Sequence, residues 1–177
     1  MKKALFAVPL VLVVSSCAGA PGAASVSVPD IPFTASAEIG YGGIELCADI
    51  TRSAPGKWEF SITEPYALEG LTMTFTDGSC RLNMLGMESA ADLGNDAVSM
   101  AKAVAGAYDA AVSSSDAVKT SDDIYTLSGT SPLGSFTLDL DKSGTPVSFT
   151  SDAGSLTVKL SGFTQLSSSD VQAELVE

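Results

Sequence analysis

The chain has 177 residues, with 21 Asp and Glu against 9 Lys and Arg, a net charge of −12, and no histidine. That acidity excludes a nucleic-acid binder, because phosphate backbones and anionic lipid surfaces reward lysine and arginine. The missing histidine removes the usual general base near neutral pH, the Ser-His-Asp and Cys-His triads, and the common zinc sites.

The first sixteen residues read as a secretory signal. Lys2 and Lys3 precede an apolar run from Ala4 to Val14, broken only by Pro9. The run is shorter than the about 20 residues of a membrane-spanning helix and fits the apolar centre of a signal peptide. It closes on Val14-Ser15-Ser16-Cys17. This segment resembles the lipobox of bacterial lipoproteins, where the cysteine thiol is alkylated with diacylglycerol and the peptide is cut before it. The resemblance implies a signal peptide over residues 1–16 and lipid attachment at Cys17. It also implies an extracytoplasmic protein anchored to the cell membrane, or to the outer membrane in a host that has one. Two or three acyl chains hold firmly, at about 0.8 kcal/mol per buried methylene. Residues 17–30, rich in Ala, Gly, Ser and Pro, read as a flexible lipidated tether.

From residue 31 the apolar period becomes two. Phe33, Ala35, Ala37, Ile39 and Tyr41 alternate with polar or small residues up to Gly42-Gly43. Ile44, Leu46, Ala48 and Ile50 follow, then Ala54-Pro55-Gly56. Trp58, Phe60 and Ile62 form a third run, Leu71, Met73 and Phe75 a fourth that ends at Asp77-Gly78, and Cys80, Leu82 and Met84 a fifth. Such runs bounded by turn residues are half-buried strands, and their short gaps imply hairpins of an antiparallel meander. The period then changes. Ala97, Ala101, Val104, Tyr108 and Val112 share one helical face, with Ser99, Lys102, Gly106 and Asp109 on the other. One amphipathic helix is expected between Gly94 and Val112, capped by Asn95, with a softer helical segment over Glu88–Leu93 before it. After a polar stretch from Ser113 to Asp123, strands resume at Ile124–Leu127, Phe136/Leu138/Leu140, Val147/Phe149 and Leu156/Val158/Leu160. Residues 168–177 read as a polar tail.

About nine strands and one main helix define an α+β domain over residues 31–167. The sheet has one apolar face, and its simplest packing is an open antiparallel barrel curled around that face and plugged by the helix. Cys47 and Cys80 remain as a pair in an exported chain, so a disulfide is open on grounds of compartment. The strand phases oppose it, since Cys47 falls among polar positions and Cys80 among apolar ones.

This order of elements resembles the lipoprotein-carrier superfamily, which includes periplasmic lipoprotein carriers, outer-membrane lipoprotein acceptors and mycobacterial glycolipid-binding lipoproteins. The resemblance is carried by Gly56-Lys57-Trp58-Glu59-Phe60 followed by Glu64-Pro65, by Leu68-Glu69-Gly70-Leu71 up to Asp77-Gly78, and by Leu138-Asp139-Leu140-Asp141 followed by Gly144-Thr145-Pro146. It implies an unclosed barrel whose space between sheet and helix holds acyl chains. Phe33, Ile39, Leu46, Trp58, Phe60, Ile62, Met73, Phe75, Tyr108, Phe136, Leu138 and Phe149 would line that space, with Met73, Met84, Met87 and Met100 as an adaptable component. The same residues also suit an ordinary filled core.

Other motifs carry less. Asp139-Leu140-Asp141-Lys142-Ser143-Gly144 opens with calcium-loop spacing, but the twelfth position is Thr150 rather than a bidentate Glu, and a hairpin turn is expected. Asp122-Asp123 read as a solvated face, since adjacent strand residues point oppositely. No metal, cofactor or catalytic set is expected, and the chain is read as a non-enzyme. Two functions remain: a lipid-anchored module that binds or transfers an acyl chain, or an envelope scaffold with a filled core. Cavity volume separates them.

Overall fold

The computed structural model describes residues 25–90, 96–114 and 117–167. The expected signal peptide, Cys17, the tether up to residue 24, Asn95 and the tail over 168–177 lie outside the described residues. The elements in chain order are β1 (Ser25–Val26), β2 (Phe33–Tyr41), β3 (Ile44–Ala54), β4 (Lys57–Glu64), β5 (Thr72–Thr76), β6 (Ser79–Met84), β7 (Met87–Ala90), α1 (Asp96–Val112), β8 (Ala117–Lys119), β9 (Ile124–Ser131), β10 (Gly134–Asp141), β11 (Pro146–Ser151) and β12 (Leu156–Gln165).

The nine expected strands are present, and β1, β7 and β8 are additional. Of the helical segment expected over Glu88–Leu93, residues 88–90 belong instead to the strand Met87–Ala90, and residues 91–93 lie outside the described residues. A two-residue turn at Leu85 and Gly86, both at positive φ (54° and 78°), folds β7 back onto β6. A leucine at the first position of such a turn conceals it, because Asn, Asp or Gly normally mark it.

The twelve strands form one antiparallel sheet of order β1-β8-β9-β10-β11-β12-β2-β3-β4-β5-β6-β7. Its two edges, β1 and β7, do not pair with each other, so the sheet is open and not a closed barrel. The alternation in the sequence is the alternation of faces. Ala35, Ala37 and Ile39 of β2 stand opposite Ile50, Ala48 and Leu46 of β3, and all six are buried.

α1 packs on β9 and β10 on one side and on β5 on the other. β10 and β5 are six positions apart in the sheet, about 29 Å at about 4.8 Å per strand if the sheet were flat. A helix with its side chains is only about 10 Å across. One helix reaches both because the sheet curls around it. Register shifts at Cys47/Ala48, Arg52/Ala54, Asp139/Leu140 and Ser161/Thr164 supply local bends. None of residues 97–112 is exposed. The polar side of the helix, Ser99, Lys102, Gly106 and Asp109, is half-buried too, so the helix is enclosed further than an amphipathic pattern implies. No helix among the described residues is long and apolar enough to cross a membrane.

Ser25–Asp30, expected to belong to the tether, are part of the domain. Ser25 and Val26 pair with Val118 and Ala117 of β8, and Val28 is buried in the core. The chain must then pass from β1 to β2, six positions across the sheet. Seven residue steps reach at most about 24 Å, less than the about 29 Å of arc. Residues 27–32 therefore cross the open end of the curl as a chord, like a strap.

Gly129 stands opposite Phe136 across β9 and β10. A methyl group at Gly129 would lie 2.7 Å from Cζ and 2.9 Å from Cε1 of that ring. Phe136 is buried and packs on Phe149 with centroids 6.0 Å apart, so it has little room to yield. Gly129→Ala is expected to lower the unfolding free energy by about 1–3 kcal/mol, read as a lower urea midpoint at unchanged slope.

Candidate functional site

All twelve interior residues expected from the sequence are buried on the inner face, with relative exposures between 0% and 5%. Five of them, Phe33, Trp58, Tyr108, Leu138 and Phe149, converge between sheet and helix. Ile50, Val104, Val158 and Leu160 complete a wholly apolar cavity there of about 10 Å³. That is about the space of one water molecule, against several hundred Å³ for a ligand pocket. Ile39, Leu46, Phe60, Ile62, Met73, Phe75 and Phe136 do not line it. Met73 and Met100 are buried, whereas Met87 is exposed on the edge strand.

The interior ends in a polar cluster that the sequence reading did not single out. Arg52 of β3 is 1% exposed and is the largest fully buried side chain. Its Nε donates to Oδ1 of Asp109 on α1 at 2.9 Å, its Nη2 to Oδ1 of Asp30 at 2.9 Å, and its Nη1 to the Ile31 carbonyl at 3.1 Å. The second Asp109 oxygen accepts from the Gly56 amide at 2.9 Å and from Nε1 of Trp58 at 3.0 Å. The guanidinium lies 5.3 Å from the Tyr108 ring centroid and 5.8 Å from that of Trp58, within cation–π range. Tyr108 donates from its hydroxyl to the Pro29 carbonyl at 3.0 Å, and its ring meets Phe33 and Trp58 at 5.2 and 5.5 Å. Burial pushes the Tyr108 hydroxyl pKa far above the ordinary tyrosine range. One signal could have found this cluster. The period of two that places Ala48 and Ile50 inward also places Arg52 inward, and a buried charge demands a partner.

The remaining candidates are occupied by structure. Asp141 Oδ1 accepts from the Ser143 amide and hydroxyl and from the Thr145 amide, at 2.8, 2.6 and 2.9 Å. Partial burial pushes its carboxyl up, but these hydrogen bonds outweigh burial and hold it below the ordinary range. Asp139 accepts from Thr126 and Ser148, each at 2.8 Å. This is the expected hairpin turn. No group of three or more acidic or cysteine side chains among the described residues is placed to hold a metal. Cys47 and Cys80 are unpaired, one on the outer face and one in the core, three strand positions apart. Burial, with Glu64 beside it, raises the Cys47 thiol pKa, and burial raises that of Cys80, so neither is a poised thiolate. Two broader hollows, of about 520 and 540 Å³, are open and mixed in character: Phe136 and Leu156 with seven Ser and Thr residues and Asp152 line the first, and Ile39 and Leu46 with Glu38, Glu45, Glu64 and Lys159 line the second.

No family model matches the sequence, and no curated protein matches it. Among solved structures, the chain is similar to an uncharacterized conserved protein from Thermus thermophilus, with a TM-score of 0.46 and 15% identity over 81% of this chain and 85% of that one. It is also similar to a LolA superfamily protein from Nitrosomonas europaea, with a TM-score of 0.42 and 10% identity over 80% of this chain and 89% of that one.

Two measurements test the polar cluster. Asp109→Asn leaves the buried guanidinium with one half-exposed carboxylate, and Arg52→Met leaves Asp109 without its cation. Each is expected to cost about 3 kcal/mol of stability in a denaturant titration. The second concerns pH. Tyr108 keeps its proton in the native state after the unfolded chain has lost it, so native stability falls as pH rises past the ordinary tyrosine value of 10.0. The expected slope reaches about 1.4 kcal/mol per pH unit, and Tyr108→Phe should remove it.

Proposed function

We propose that this protein is an extracytoplasmic lipoprotein, anchored through Cys17, that shelters an acyl chain of a lipid or of another lipoprotein between its curled sheet and α1. The observation that carries the proposal is the make-up of the helix that fills the interior. Five of its buried residues are alanines, Ala101, Ala103, Ala105, Ala107 and Ala111. The sheet face around it presents Phe33, Trp58, Phe60, Leu138 and Phe149. An alanine buries one methyl, whereas a leucine buries about 2 kcal/mol of apolar surface. Val98, Met100, Val104 and Tyr108 are the other buried residues of the helix, so five of its nine buried side chains are single methyls, and the Arg52–Asp109 cluster fastens one end. Once that cluster lets go, an incoming acyl chain covers the same aromatic and aliphatic face and regains about 25 cal/mol per Å². The process is partitioning, with no bond made or broken. The open barrel of the carrier superfamily supplies the analogy, with the helix as its plug.

A second function, an envelope scaffold with a filled core that meets partners through its acidic outer face, is favoured by the small cavity of about 10 Å³. One experiment separates the two. The protein is purified without detergent, weighed by native mass spectrometry and extracted with organic solvent, before and after incubation with fatty acid or phospholipid. The carrier is expected to hold acyl lipid near one per chain, with faster uptake in Asp109→Asn, where the helix is loosened. A clean apo mass with no uptake by either form overturns the carrier and leaves the scaffold. The anchor is scored separately: Cys17→Ser should shift the protein from the membrane fraction to the soluble one.

A further inference from the structure

The strap over residues 27–32 and α1 share one fastening, the Arg52 guanidinium. We infer that strap and α1 hold and release the interior together, through Arg52, so that movement of the N-terminal segment is transmitted to the helix. This does not depend on which guest enters, or on whether one does.

Three observations carry the inference. The strap is the chord that closes the open end of the curl, with Val28 buried beneath it. At its far end the Leu166 amide donates to the Pro32 carbonyl at 3.0 Å. Next, one guanidinium binds both elements: Nη1 and Nη2 face the strap at Ile31 and Asp30, and Nε faces the helix at Asp109. Its donors lie in one rigid plane, so the group cannot follow one element without turning away from the other. A buried cation left half-paired is costly, so losing one set of partners weakens the hold on the second. Finally, the Tyr108 hydroxyl gives a tie independent of Arg52, from the helix to the strap carbonyl of Pro29.

Upstream, the strap is secured by the two residue pairs of β1 with β8. β1 leads directly into the strap, so a displacement of β1 acts on the strap. Coupling between two elements is reciprocal. What loosens the strap loosens the helix, and what displaces the helix frees the strap.

Hydrogen exchange resolved by residue tests this in the purified protein. Asp30→Lys places an ammonium beside the buried guanidinium. Tyr108→Phe keeps the ring and removes only the hydroxyl. In each variant the amides of Ser27, Val28, Asp30 (or its replacement) and Ile31 and those over residues 104–111 of α1 are expected to exchange at least about fivefold faster, together. The pairs Ile39–Val158 and Ala37–Leu160 of β2 and β12, remote from the strap end of those strands, should keep their wild-type rates. Acceleration in one segment with the other unchanged overturns the inference. Should Asp30→Lys accelerate exchange throughout the sheet, Tyr108→Phe decides by the same criterion.

Discussion

The interior is organised around a full positive charge held at 1% exposure. Arg52 lies on the apolar face of β3, two residues past Ile50, where water cannot solvate it. Such a group must be surrounded by acceptors or not buried at all. The acceptors come from two elements remote in sequence, Asp109 on α1 and the strap at Asp30 and Ile31. One charge on a strand therefore determines where the second half of the helix lies and where the chain before β2 crosses. Tyr108 and Trp58 flank the guanidinium and keep water from it, which strengthens each charged hydrogen bond beneath them. Among the described residues no buried side-chain polar atom lacks a partner, so the cluster is satisfied in the closed state.

The helix is consequently held unequally along its length. Near Asp109 it is fixed by directional bonds to β3, to the Gly56 turn and to Trp58. Elsewhere it meets the sheet through five buried alanines together with Val98, Met100 and Val104. Directional bonds fail abruptly when their geometry is lost, while apolar contact declines gradually with area. In the proposed carrier, a helix secured in this way opens once that polar cluster yields.

Much of this was legible in the sequence, and the omissions have physical causes. The nine central strands could be read because each buries one face and so repeats every two residues between turn residues. β1, β7 and β8 have two to four residues, too short to display a period, and lie at or beside the sheet edges. All twelve candidate interior residues are in the core, since face follows from parity once a strand is recognised. The curl of the sheet around a plugging helix could be read, but not that the polar side of α1 is half-buried as well, which depends on twist, register shifts and the strap acting together. Arg52 was concealed for a different reason. Its parity indicated the core but its charge indicated solvent, and its partners stand 57 and 22 residues away in the chain. The lipid attachment proposed at Cys17 is the converse case, carried by local sequence alone.

In the proposed carrier, a small cavity is the guest-free state. An empty channel the length of a 17-residue helix, about 25 Å, would leave Phe33, Trp58 and Phe149 wet or dewetted, and either state is unfavourable. A sheltering protein without a guest must therefore cover that face with part of itself. The cover has to be apolar enough to protect the face and yet bind it less well than the guest does. An alanine-rich helix with one polar fastening meets both requirements. Larger residues in place of Ala101, Ala103, Ala107 and Ala111, with the sheet adjusted around them, would bury more apolar surface. For the proposed carrier, the composition of the plug bears on the choice as much as the volume left around it.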